Sequence, residues 1–69
     1  MDINEVHYLT YEDIDGYDHY EVLLEIRNCL MEMENSPGAV VMVQWGKGEE
    51  FDRYDREKVD REMKLTYGV

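Results

Sequence analysis

Basic residues are scarce in this chain, and cysteine, proline and long apolar runs are scarcer still. Seven Lys and Arg stand against 17 Asp and Glu, a net charge of −10. So few cations disfavour direct binding to nucleic acid or to an anionic membrane, since both recruit Lys and Arg. The single cysteine, Cys29, excludes an internal disulfide or a zinc site built from cysteines of one chain. A reduced, cytoplasmic setting is the expectation. No run of about 18 apolar residues is present to span a bilayer. Nor does a basic segment precede an apolar one, as it does in a secretory signal.

Metal and catalytic patterns are missing too. His7 and His19 are too far apart for a zinc-binding HExxH arrangement. Asp13, Asp15, Gly16 and Asp18 resemble a fragment of a calcium loop. If Gly16 took that loop's glycine place, however, Tyr11 and Val22 would fall where the first and last ligands belong. Gly46-Lys47-Gly48 lacks the spacing of a phosphate loop and reads as a turn. Cys29 has no basic neighbour to lower its pKa, so it reads as a small core hydrophobe rather than a nucleophile. Acid–base chemistry needs two carboxylates in contrasting surroundings within a cleft, and a chain of 69 residues has little core to build one. We expect no enzyme, no cofactor and no metal.

What is present is a short apolar framework under an acidic surface. With 43% hydrophobic residues, grouped in runs, the chain should fold. A domain this small buries only about 60% of its unfolded surface, so its stability is marginal. One domain, residues 1–69, is expected. Residues 3–9 read as a strand, or alternatively as a short helix capped by Asp2 and Glu5. Thr10 to Asp15 reads as a turn with Thr10 as a candidate cap, and Gly16 interrupts the chain.

Residues 17–34 read as a long helix. Val22, Leu23, Ile26, Cys29, Leu30 and Met33 recur at three- and four-residue steps, and Asn35-Ser36-Pro37-Gly38 stops the helix. The apolar run 39–45 reads as a buried strand. Residues 52–64 read as a second, shorter helix capped by Asp52, with Phe51, Val59, Met63 and Tyr67 as a thin apolar face. Pairs such as Asp52 with Arg56, Arg53 with Glu57, Glu57 with Arg61, Lys58 with Glu62 and Asp60 with Lys64 would lace it. A last short strand at Leu65–Tyr67 is a further expectation. The fold class is α+β: a small two- or three-stranded sheet with one long and one shorter helix, in a dimer that extends the sheet or pairs the long helices.

Charge is distributed unevenly. Ten of the 17 acids, with Arg27 as their only base, lie in residues 1–46, and six of the seven bases lie in residues 47–69. On the long helix, Asp18, Glu21, Glu25, Asn28 and Glu32 fall within an arc of about 80° at 100° per residue. Asp13 and Asp15 in the preceding turn could extend the row. A third strip on the same helix holds Tyr17, Tyr20, Leu24 and Met31. Either residues 1–9 or the last helix covers that strip, or it meets a second copy or a partner.

Fixed carboxylates invite binding to a surface rich in Lys and Arg, unless the acidity serves only solubility. In size, charge and Tyr/Asp/Glu-rich composition, residues 2–34 resemble the small phage-encoded DNA mimics. Proteins of that group block DNA glycosylases, restriction enzymes, nucleoid proteins or CRISPR effectors. The resemblance is compositional and brings no family motif. It implies an inhibitor in the host bacterial cytoplasm whose partner is a basic nucleic-acid-binding protein, above all a non-specific DNA binder that reads backbone charge. The other expectation is a phage-type regulator or adaptor. Such a protein would bind a basic host surface, such as RNA polymerase or a protease component, through the aromatic strip or through the neighbourhood of Trp45 and Phe51.

Overall fold

The computed structural model describes residues 5–68. Strand β1 spans Val6–Leu9, helix α1 His19–Glu32, strand β2 Val40–Val43, strand β3 Asp52–Tyr54 and helix α2 Arg56–Tyr67. The sheet order is β1-β2-β3, with β2 parallel to β1 and antiparallel to β3. The fold is α+β, as the apolar pattern suggested, with a three-stranded sheet and two helices; the third strand is not one of those expected. Among the described residues no helix is long and apolar enough to cross a membrane.

Two layers follow from alternation along the strands. Val41 and Val43 of β2 are fully buried, and the core joins them to Leu9 and Tyr54 from the flanking strands. Val22, Leu23, Ile26, Cys29, Leu30 and Met33 from α1 and Val59 and Met63 from α2 complete it. Both helices therefore cover one face of the sheet. On the other face Tyr8, Met42 and Arg53 lie in one row. Tyr8 is 60% exposed there and meets Phe51 edge-on at 5.8 Å.

Asp18 rather than Tyr17 starts α1. Its carboxylate accepts from the Glu21 N–H while the Glu21 side chain accepts from the Asp18 N–H, a reciprocal capping box. The helix ends at Met33 instead of reaching residue 34. No base occupies its last turn; Arg56 of α2 supplies that charge instead. The Arg56 guanidinium donates to the carbonyls of Leu30 (2.9 Å), Met33 (2.8 Å) and Ser36 (3.1 Å). Ser36, buried in the turn that follows, accepts the Glu5 N–H on its hydroxyl, which fastens the start of β1. The strand expected at 3–9 is seen over Val6–Leu9; residues 3 and 4, and the alternative cap at Asp2, lie outside the described residues. The central strand is shorter than 39–45: it ends at Val43, and beyond it the Gln44 side chain binds Tyr11 and Gly48 in the neighbouring loops. Thr10 caps nothing: its N–H and hydroxyl both donate to the Asp13 carboxylate.

The segment read as one helix over 52–64 is two elements. Asp52–Tyr54 pairs with β2, Asp55 is the true cap, accepting from the Lys58 N–H at 2.8 Å, and α2 continues to Tyr67. The expected strand at Leu65–Tyr67 is therefore the last helical turn, closed by Gly68 in the left-handed region at φ 69. Asp52 and Arg53 lie on a strand, which removes two of the expected i,i+4 pairs, and Arg56 turns inward to the α1 carbonyls. Asp60–Lys64 does form, at 3.1 Å, and Arg53 reaches Asp55 at 3.6 Å instead of Glu57. Both pairs are exposed and contribute little to stability.

Two core groups make stability sensitive to alkali. Burial, followed by the charges of Glu25 and Glu32, pushes the Cys29 thiol up. Burial, followed by Asp52 and Glu62, pushes the Tyr54 phenol up. The unfolded chain releases these protons first, near pH 9 for the thiol and near 10 for the phenol. Stability is then unaffected by either group at neutral pH and falls as pH rises past those values. Urea midpoints at pH 7.5, 9.5 and 10.5 should show this fall, and a Cys29→Ala/Tyr54→Phe double variant should show a shallower one.

Candidate functional site

Two surface features carry the chemistry that remains. The first is the acidic face of α1. Its buried residues Val22, Leu23, Ile26, Cys29 and Leu30 define the inward direction, and at 100° per residue the acids sit on average about 110° from it. Asp18, Glu21, Asn28 and Glu32 are exposed, and Glu25 is half-buried beside them. Asp13 and Asp15 are exposed in the turn before the helix.

These carboxylates are not equally free. Asp18 and Glu21 are held by the capping box and Asp13 by Thr10. That fixes where their charge sits while leaving lone pairs for a partner. Glu25 and Glu32 flank Cys29 closely enough to raise its pKa. Four of the seven cations are engaged within the fold: Arg56 with the α1 carbonyls, Lys58 over the Tyr54 ring at 4.5 Å, Lys64 with Asp60 and Arg53 with Asp55. Arg27, Lys47 and Arg61 are exposed.

The strip of Tyr17, Tyr20, Leu24 and Met31 is not one exposed surface. Tyr20 and Leu24 are half-buried against the core, with the Tyr20 ring 4.7 Å from that of Tyr67 on α2. The last helix covers the middle of the strip because α2 runs one turn beyond its expected end. Tyr17 and Met31 stay exposed at 44% and 62%. Met31 lines a groove of about 570 Å³ between the helices, with Leu30, Val59 and Met63.

The second feature was not legible as a unit in the sequence. Trp45, His19 and Tyr67 assemble at the start of α1: the His19 ring lies 5.6 Å from Trp45 and 5.9 Å from Tyr67. His19 Nδ1 and the Tyr67 hydroxyl share a 2.8 Å hydrogen bond, and Trp45 meets Tyr54 at 6.3 Å. A cleft of about 420 Å³ opens beside this group, lined by Tyr11, Ile14, Asp15, Tyr17, His19 and Trp45 among others. Gln44 holds its two sides together. The Gln44 side chain accepts the Tyr11 N–H at 3.2 Å, and its backbone N–H donates to Leu9 at 2.8 Å. Gly16, at φ 86, makes the corner that turns Asp15 and Tyr17 toward the cleft. The only sequence signal for this site was the clustering of aromatics near residues 8–20 and at Trp45.

No protein-family model, curated protein or solved structure matches this chain.

Proposed function

We propose that this chain is a non-enzymatic acidic protein that imitates the DNA backbone. It would occupy the nucleic-acid-binding surface of a basic host protein, foremost a nucleoid-associated or other non-specific DNA binder, and so block DNA binding. The observation that carries this reading is the outward row on α1, made of Asp18, Glu21, Glu25 and Glu32, with Asp13 exposed in the turn before it; Asp15 lines the neighbouring cleft instead. A surface built to neutralise phosphates discriminates poorly between phosphates and carboxylates at fixed steps. Glu21 and Glu25 are about 6 Å apart along the helix axis, and the capping box anchors the start of the row. A two-fold dimer would double the row. The setting would be the bacterial cytoplasm.

The test is retention of proteins from a bacterial lysate on the immobilised chain at 0.1 and 0.5 M salt, followed by displacement with duplex DNA. The expected result is a basic DNA-binding protein that is held at low salt, released at high salt and displaced by DNA. A partner that resists both salt and DNA would overturn the proposal. It would favour instead a regulator or adaptor anchored by aromatics, a reading supported by the exposure of Tyr17, Trp45 and Tyr67. Tyr20 and Leu24 are unsuitable probes for that reading, since their removal would damage the core.

A further inference from the structure

We propose that the cleft beside Trp45 receives a single alkylammonium group, the side-chain head of a lysine on the basic partner. This inference rests on the reading that the partner is basic. The lining includes three aromatic residues, Tyr11, Tyr17 and Trp45, and one acid, Asp15. Ring faces attract cations through their quadrupole, and the attraction grows as water is displaced. Ile14 and Val22, both buried, form apolar parts of the lining suited to a lysine's methylene stem.

Asp15 decides in favour of a cation over a neutral apolar guest. Among the described residues no side chain donates to its carboxylate or pairs with it. An apolar occupant would strip water from that carboxylate without replacing the lost hydrogen bonds, whereas an ammonium replaces them with charge-assisted ones. The Trp45 wall is also preorganised: Tyr67 fixes the His19 ring, His19 and Tyr54 flank Trp45, and Gln44 ties the Tyr11 backbone to β2. A site that is already ordered loses little entropy when it binds.

The chain has one tryptophan, and Trp45 lines both this cleft and a second hollow with Glu49, Glu50 and Asp52. Its fluorescence and indole N–H resonance are therefore read together with the Asp15 and Tyr17 variants, which touch this cleft only. Titration with n-butylammonium should shift both signals with millimolar affinity, while n-butanol at equal ionic strength should bind about tenfold more weakly. Asp15→Asn should weaken butylammonium about threefold or more and leave butanol unchanged. Tyr17→Leu should weaken butylammonium as well, with the melting temperature of both variants close to native because both residues are exposed. Equal binding of the two probes, indifference to Asp15→Asn, or no shift at all would overturn the proposal. Glu25 and Glu32 do not line the cleft, so Glu25→Lys/Glu32→Lys should leave butylammonium binding intact. Failure of the cleft and failure of the acidic row are thus separate results.

Discussion

A variant carrying Glu21→Gln, Glu25→Lys and Glu32→Lys should bind its basic partner about a hundredfold to three-thousandfold more weakly at 0.1 M salt while retaining native helicity. The choice of residues follows from what each carboxylate does. Glu21 accepts the Asp18 N–H in the capping box. Lysine there would remove a cap and place a cation at the positive end of the helix dipole. Glutamine keeps the acceptor and removes only the charge. Glu25 and Glu32 accept no hydrogen bond from the described residues, so their reversal changes the surface field and little else. The three substitutions shift net charge by five units, from −10 to −5. At roughly 0.5–1 kcal/mol per unit against a cationic surface, the loss is about 2.5–5 kcal/mol, or two to three and a half decades at about 1.4 kcal/mol each. Isothermal titration against the retained partner measures it, and residual binding should show a flatter salt dependence. Affinity within threefold of native would mean that the row touches nothing, whatever the composition of the chain suggests.

How much of this was legible beforehand depended on whether each signal was local. Helix α1 announced itself because Val22, Leu23, Ile26, Cys29, Leu30 and Met33 repeat at helical spacing and Asn35–Gly38 stops the pattern. Strand β2 did so because its valines form an uninterrupted apolar run between turn residues. The acidic face was local in the same way: once the core side of α1 is known, 100° per residue places Glu21, Glu25 and Glu32 in solvent. Strand β3 was hidden because Asp52-Arg53-Tyr54 is three residues long and its charges continue a convincing i,i+4 pattern into Arg56 and Glu57. Its strand character comes from pairing with Val41–Val43, a contact no window of sequence contains. The far end of α2 was hidden separately, because Leu65-Thr66-Tyr67 carries strand-favouring residues and the stop, Gly68, follows only after them.

The aromatic cleft was illegible for the same reason. Tyr11, Tyr17 and Trp45 come from two distant stretches of chain that meet because β1 and β2 are parallel neighbours, with Gln44 bridging to Tyr11. Parallel pairing requires a crossover, and α1 is that crossover. Its first turn is therefore delivered to the end of the sheet where Trp45 emerges. His19, which the sequence singles out only as lacking a metal-binding partner, is exposed, yet it joins Trp45 to Tyr67.

Arg56→Met should lower the unfolding free energy by about 2–4 kcal/mol, the largest loss expected from any exposed or half-exposed position. A domain of 69 residues has roughly 3.5–10 kcal/mol in total at ordinary per-residue values, so this variant should be partly unfolded at 37 °C. The guanidinium supplies three charge-assisted hydrogen bonds to the end of α1 at 2.8–3.1 Å, where the helix dipole is negative and no base of its own is present. Each of those carbonyls also accepts a backbone N–H, from Met33, Ser36 and Ala39 respectively. The substitution therefore leaves none wholly unpaired, which is why the loss stops short of that for an orphaned buried charge. Arg56→Lys should recover less than half of the loss, since an ammonium lacks the planar fork that reaches three carbonyls at once. Arg53→Met, which breaks only an exposed 3.6 Å pair with Asp55, should change stability by less than about 0.5 kcal/mol. Urea midpoints of the three variants order these effects, and equal losses for Arg53 and Arg56 would refute the anchoring role. The consequence for binding is direct, because Glu32 sits on the turn that Arg56 pins. Faster amide exchange from Leu30 to Glu34 in Arg56→Lys, without change around Glu21, would show that one end of the acidic row depends on a cation contributed by the other helix.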